Sequence, residues 1–237
     1  MKLNKKTKMV NNNFGFILIN KIEGPTSHTI VNQLRRITCI KKIGHAGTLD
    51  PFAEGLMIVA IGRQATKNII NFVKLDKKYE AEVFLGIKTD TYDKCGKIIN
   101  EYEGPKIKKT NLILALKNLT EKTTQTPPMY SAKKINGKKL YELARKNIEI
   151  ERPPQKIKIF YIKLKKYNWP KAKIEVHCSS GTYIRTIAND LGKDLKCGAH
   201  LSQLKRTKIG KYELKKSIKI EKLNKDNWKK RLFYLEN

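Results

Sequence analysis

The spacing of apolar and polar positions changes period along this chain, and each change marks an element. Residues 14–20 form a short apolar strand. Gly24-Pro25-Thr26-Ser27 then turns the chain into a helix that Thr26 or Ser27 caps, with Ile30, Val31, Leu34 and Ile37 as its inward stripe. The unbroken apolar run 56–61 predicts a strand buried on both faces. Residues 65–73 read as a helix with Ile69, Ile70 and Val73 inward. Over 78–87 the pattern alternates, placing Tyr79, Ala81, Val83 and Leu85 on one face and Glu80, Glu82 and Phe84 on the other. A polar turn at 88–93 and a second strand near 97–100 predict a hairpin.

Thr110 is placed to cap a helix carrying Leu112, Ile113, Leu116 and Leu119. The segment 123–137 holds Pro127-Pro128 and Ile135-Asn136-Gly137, too many breakers for a core element, and reads as an exposed excursion before a helix at 138–146. Strands follow at 157–167 and 172–178. Ser179-Ser180-Gly181-Thr182 leads into a helix over 183–191 with Ile184, Ile187, Ala188 and Leu191 buried. Residues 200–210 form another strand, and 227–235 close the chain as a short amphipathic helix. There is no internal repeat.

With 237 residues, 40% of them hydrophobic, the chain can bury a proper core and forms one main globular unit. The net charge of +30 is far beyond what solubility needs and favours a polyanionic partner, nucleic acid first. Only 8 of the 51 basic residues are arginine, so part of that charge is a solvated lysine surface and the arginines are the ones to ask about. No stretch is long and apolar enough for a membrane span and the N-terminus lacks an apolar signal core, which predicts a cytoplasmic protein. The basic, polar residues 1–13 read as a flexible tail. Cys39, Cys95, Cys178 and Cys197 are widely spaced without a CxxC pair, predicting free thiols and no metal site.

The candidate chemistry centres on Gly44-His45-Ala46-Gly47-Thr48-Leu49-Asp50-Pro51, followed at once by the buried run 56–61. Small residues and a proline around one carboxylate describe either a structural Asp-Pro turn or an acid presented on a rigid loop, and spacing alone admits both. Arg185 stands in the first turn of its helix, against the helix dipole, so a carboxylate or phosphate partner is needed to justify it. A Ser/His/Asp hydrolase using His45 and Asp50 lacks any nucleophile-elbow pattern.

Several separated motifs, in order, resemble the TruB family of tRNA pseudouridine synthases. They are 44–51 with Gly55-Leu56 and 62–67; 78–86 with Thr89-Asp90-Thr91; 125–132 with Gly137 and Tyr141; and 178–185 with Asp190-Leu191-Gly192. Two positions depart from the pattern: Lys21-Ile22-Glu23-Gly24 lacks the usual proline, and Ser180 replaces a usual lysine. The resemblance implies an α+β pseudouridine synthase fold, a central mixed, mostly antiparallel sheet flanked by helices and loops. It implies one catalytic domain over 14–237, a thumb-like RNA-clamping insertion at about 123–152, and no C-terminal PUA-like domain, since only 27 residues follow Gly210.

The activity so implied is isomerisation of the T-loop uridine at tRNA position 55, without cofactor or metal. The partner is the tRNA T stem-loop, and the enzyme a monomer. Asp50 is implied as the nucleophile, Arg185 as the cation that keeps it ionised, and Tyr79 as the aromatic stacked on the target uracil. His45 manages the flipped RNA, Leu204 lines the uracil pocket, and Gly44, Tyr183 and Lys21 join the substrate side. Lys133, Lys134 and Lys138 contact the RNA backbone. An RNA-folding chaperone and a guide-RNA-dependent pseudouridylation subunit are the alternative classes.

Overall fold

A computed structural model describes residues 13–235. The basic tail expected over 1–13 lies outside these residues, Asn13 excepted. Strand β1, Gly15–Lys21, passes through Gly24-Pro25 into helix α1, Ser27–Thr38. The two candidate caps have separate tasks. Thr26 Oγ1 accepts from the Thr29 amide, whereas Ser27 Oγ bonds both backbone groups of Leu49 and ties the helix to the Asp50 loop.

Strands β2, Ile43–His45, and β3, Glu54–Ile61, follow, and every β3 residue after Glu54 is buried, as its apolar run requires. The single helix expected over 65–73 is two short ones, α2, Gly62–Lys67, and α3, Ile70–Val73. The break between them rotates the second turn, so Phe72 faces inward against Phe16 and Phe233 while Ile70 is half exposed.

Strand β4, Lys77–Leu85, buries Tyr79, Ala81, Val83 and Leu85 as the alternation predicts. Glu82, expected on the polar face, is also buried, because Lys171 and Lys173 close over it at 3.6 and 3.8 Å and Ser202 donates to it. Strands β5, Ile87–Thr89, and β6, Ile98–Glu101, form the predicted hairpin. Helix α4, Lys109–Thr120, begins one residue earlier than Thr110, with no side-chain cap. Its inward face uses Ala115 with Leu112, Leu116 and Leu119, leaving Ile113 exposed.

The segment 123–152 carries β7, Thr124–Gln125, β8, Lys134–Ile135, β9, Lys138–Lys139, and helix α5, Leu140–Ala144. It is not a free excursion: Gln125, Ser131 and Leu140 are buried, and β7 pairs with β10, Gln155–Lys156. Then come β11, Ile159–Asn168, β12, Lys171–Cys178, helix α6, Ile184–Asp194, β13, Ala199–Ile209, β14, Tyr212–Glu213, and β15, Ile218–Lys219. The expected closing helix is a single 3-10 turn, Trp228–Arg231, pinned by buried Trp228.

The main sheet has nine strands among the described residues, in the order β11-β12-β4-β13-β3-β1-β15, with β2 on β3 and β14 on β13. Only β13 with β3 and β1 with β15 run parallel. The late strand β13 therefore fills a slot between β3 and β4, which are close in sequence. The α6 stripe of Ile184, Ile187, Ala188 and Leu191 shares one core with Val83, Leu85, Val176 and Leu201. Each fully buried aliphatic side chain there contributes roughly 1.5–3 kcal/mol. No helix among the described residues is long and apolar enough to cross a membrane.

Candidate active site

The Asp50 loop is held from beneath by two buried cations that bind its carbonyl groups. Lys21 is fully buried, and its Nζ donates to the carbonyls of Ile22, Pro51 and Ala53 at 3.1, 3.2 and 2.5 Å. Arg206, 2% exposed, donates from Nε to Leu56 O at 2.7 Å, from Nη2 to Gly47 O at 3.0 Å and from Nη1 to Thr48 O at 3.4 Å. Gly55 makes this packing possible. It lies at φ +115°, and a Cβ there would stand 2.3 Å from the Arg206 carbonyl oxygen. The acid is thus presented on an anchored loop, the second of the two readings its spacing allowed.

Arg185 reaches that acid from the start of α6. Its Nε lies 2.9 Å from Asp50 Oδ2 and its Nη2 donates to Asp50 Oδ1 at 3.1 Å, a two-point pairing. The rest of the guanidinium is occupied as well: Nη1 by Thr91 O at 3.1 Å and Asp93 Oδ2 at 3.4 Å, Nη2 also by Tyr130 O at 2.6 Å. An arginine 4% exposed and set against its helix dipole is explained by these two carboxylates and two carbonyls. Gln125 steadies the helix start, its Nε2 donating to Tyr183 O at 3.1 Å and its Oε1 accepting from Tyr183 N at 2.7 Å.

The expectation that Arg185 keeps Asp50 below the ordinary carboxylate range is corrected. Burial pushes the Asp50 carboxyl up, Arg185 opposes that rise, and Asp93 adds to it. The side chain keeps 31% of its exposure and lines the cleft beside it. That cleft, about 270 Å³, has Asp50, Arg185, Tyr79, Tyr183, Leu204, Lys77 and Lys133 in its walls. Burial also raises the Tyr79 phenol, with Arg206 opposing, so Tyr79 stays protonated and offers a ring face.

Five of the expected residues lie outside this cleft. His45 and Gly44 line a separate basic cleft with Lys42, Arg63 and Lys67. Burial, with Arg206 and His28 nearby, lowers the His45 pKa, leaving a neutral ring. Lys134 and Lys138 are exposed on the β8–β9 hairpin, away from the cleft. Lys21 lies under the loop and contacts no cleft surface, which corrects its placing on the substrate side. Burial lowers its pKa to about 8. Lys21→Met is accordingly expected to lower kcat by about 10²-fold, because an ångström of displacement at Asp50 costs that much. KM stays nearly constant. A rise in KM with unchanged kcat would return Lys21 to substrate binding.

Sequence reasoning missed Asp93, Arg206 and Lys77. Asp93 sat in a segment read as a polar turn, two residues past the recognised Thr89-Asp90-Thr91. Arg206 carried one available signal, being one of only 8 arginines in a lysine-rich chain. Lys77, buried and bonded to the carbonyls of Val73 and Leu75, has its pKa lowered to about 8 by burial. Nothing in its lysine-rich surroundings marked it.

A mixed sheet with an acid loop facing an arginine at a helix start defines a class of fold. It superposes on a chain of the crystal structure of a Cbf5-Nop10-Gar1 complex with TM-score 0.69 and 27% identity, over 88% of this chain and 53% of that one. This is the pseudouridine synthase fold, α+β as expected. A model of the TruB family pseudouridylate synthase N-terminal domain matches residues 35–184, and one of the tRNA pseudouridylate synthase B C-terminal domain matches 185–235. The chain is 48% identical to the tRNA pseudouridine synthase B of Protochlamydia amoebophila (strain UWE25), over 86% of its own length and 77% of that protein's. It is 43% identical to that of Chlamydia pneumoniae, over 86% of each. The chain belongs to the TruB family.

Proposed function

We propose that this chain is a tRNA pseudouridine synthase that isomerises the T-loop uridine at position 55, acting as a cytoplasmic monomer without a cofactor. The observation that carries the reading is the two-point pairing of Asp50 with Arg185 at the wall of a cleft that Tyr79 and Leu204 share. It is strengthened by relatives of 48% and 43% identity named tRNA pseudouridine synthase B.

The reaction breaks the N1–C1′ bond, turns the uracil, joins C5 to C1′, and moves the C5 proton to N1, so no atom is gained or lost. The uridine leaves its stack to reach a cleft of this depth, at a cost of a few kcal/mol. Ionised Asp50 attacks ribose C1′ or uracil C6, and both routes need the carboxylate free of its proton. Arg185, locked by Thr91, Tyr130 and Asp93, fixes which oxygen faces the substrate. The Tyr79 ring and Leu204 keep the detached uracil in place, and neutral Tyr79 acts through its face. Lysines of the thumb-like insertion, Lys134 and Lys138 among them, bind phosphate and position the stem-loop.

Incubating the protein with an unmodified tRNA transcript, with no other RNA or protein, is expected to yield pseudouridine at position 55 on mapping. Product that appears only after a guide RNA is added, or at another position, overturns the proposal. A second measurement follows from the direction of the Asp50 shift. A raised pKa means that the proton is held to higher pH, so kcat/KM falls on the acid side above the ordinary aspartate value of about 4. Asp93→Asn removes a neighbouring negative charge and moves that acid limb to lower pH. An acid limb at or below the ordinary value, or one unmoved by Asp93→Asn, contradicts the assignment.

A further inference from the structure

The register of β11 against β12 skips one residue at Phe160: Ile159 lies opposite Cys178, and Tyr161 opposite His177. Strict alternation would send two adjacent side chains to opposite faces of the sheet. The bulge instead brings both rings against His177, Phe160 at 4.5 Å and Tyr161 at 5.4 Å between centroids. His177 stands on the sheet face away from the Asp50 cleft. Its register partner on β4 is Lys78, whereas the adjacent pair, Val176 with Tyr79, is buried on the cleft side.

Polar partners hold two of the three rings by their edges. His177 Nε2 is paired with Asp76, and Tyr161 Oη donates to Glu175 at 2.7 Å, so both acids of this patch are occupied. Phe160 is 43% exposed. A phenylalanine turned toward water forgoes part of the roughly 1.5–3 kcal/mol that burial yields, which a partner covering it recovers. Three lysines surround the rings: Lys158 Nζ lies 5.4 Å from the Phe160 centroid, and Lys163 and Lys78 lie 4.8 and 5.5 Å from that of Tyr161. Among the described residues the neighbouring ion pairs fall on Lys165, Lys171 and Lys173, and none on these three.

This chemistry selects the partner. Lysine is depleted at the centres of protein–protein interfaces, whereas aromatic faces flanked by unpaired cations hold single-stranded nucleic acid, the rings taking bases and the lysines phosphates. A paired stem hides its base faces, so the partner is an unpaired stretch.

We propose that Phe160, Tyr161 and His177, with Lys78, Lys158 and Lys163, hold an unpaired stretch of the RNA outside the target loop, which rests on the reading of the chain as a tRNA-modifying enzyme. The target loop occupies the cleft on one side of the sheet and this stretch the other. The two sites meet at one rim, where the Lys158 amide donates to Ser179 Oγ at 2.8 Å and Ser179 lines the cleft.

The test uses the full chain carrying Asp50→Asn, with binding isotherms for a whole tRNA transcript and for its excised T stem-loop. Phe160→Ala is expected to weaken binding of the whole tRNA about tenfold, in the range of a lost base stack, and of the stem-loop by less than about twofold. Phe160→Trp keeps both. Lys158→Ala and Lys163→Ala each lower the slope of log affinity against log salt by about 0.7 on the whole tRNA. Unchanged tRNA binding by Phe160→Ala overturns the proposal and leaves the patch to a protein partner. Equal losses on the two RNAs overturn it by assigning the patch to the target loop, and an unchanged salt slope removes the phosphate contacts and overturns it too. As a second readout, Phe160→p-benzoylphenylalanine is photocrosslinked to the transcript and the adducts are mapped. They are expected at unpaired nucleotides outside the T loop, and adducts confined to the T stem-loop, or none, overturn the proposal. Neither readout depends on turnover, so absence of pseudouridine on the intact tRNA refutes the proposed function separately.

Discussion

Asp50→Asn is expected to abolish pseudouridine formation, by at least about 10⁴-fold in single turnover, while tRNA binding stays nearly unchanged. The amide keeps the shape of the carboxylate and can still accept from Arg185, so the loop, anchored by Lys21 and Arg206, keeps its position. What is lost is a charge that can attack carbon. Position-resolved product assays and a binding isotherm on the same protein separate the two quantities. Turnover near that of the unaltered chain would remove Asp50 from the chemistry, and a matching loss of affinity would make it a binding residue.

Arg185→Lys carries the second large effect, and it divides between activity and stability. Lysine keeps the charge but cannot meet Asp50 at two points while also reaching Asp93, Thr91 O and Tyr130 O. Breaking a buried pair costs roughly 3–5 kcal/mol, and the low end applies because Asp50 keeps 31% of its exposure. At about 2–4 °C per kcal/mol for a chain of this size, a drop in Tm of about 6–12 °C is expected. Turnover falls by about 10³-fold, since a misaligned nucleophile loses its near-attack geometry. An unchanged Tm in thermal melts would mean that Asp93 and the carbonyls find other partners. The losses from Asp50→Asn and Arg185→Lys are expected to be far from additive, because the two side chains act as one unit.

The elements that could be read in advance are those whose burial is set by their own period. The α6 stripe and the β3 run are examples, and Arg185 could be singled out because it stands against its helix dipole, whereas the spacing around Asp50 fits an ordinary turn and only the resemblance implied its role. What could not be read depends on partners distant in sequence. Ile70 and Phe72 are both apolar, and only the arrival of Phe16 and Phe233 decides which is buried. On α4, Ala115 is buried and Ile113 exposed, because the inward face is set by the elements the helix packs on. Glu82 looked solvent-facing until two lysines from the adjacent strand covered it. Asp93 and Arg206 were hidden for the same reason. Their meaning lies in the carbonyls and charges they meet across the sheet, which no local spacing encodes.

The slot filled by β13 has a consequence in time. A ribosome makes the Asp50 loop together with β3 and β4, and delivers Arg185 only 135 residues later, with Leu204 and Arg206 after it. Until then the loop has neither its guanidinium partner nor the arginine that holds its carbonyls, and the two flanking strands have an open seam between them. A nascent chain therefore carries the acid without the site. The capacity to act on RNA arrives only when β13 enters the sheet and fills that seam.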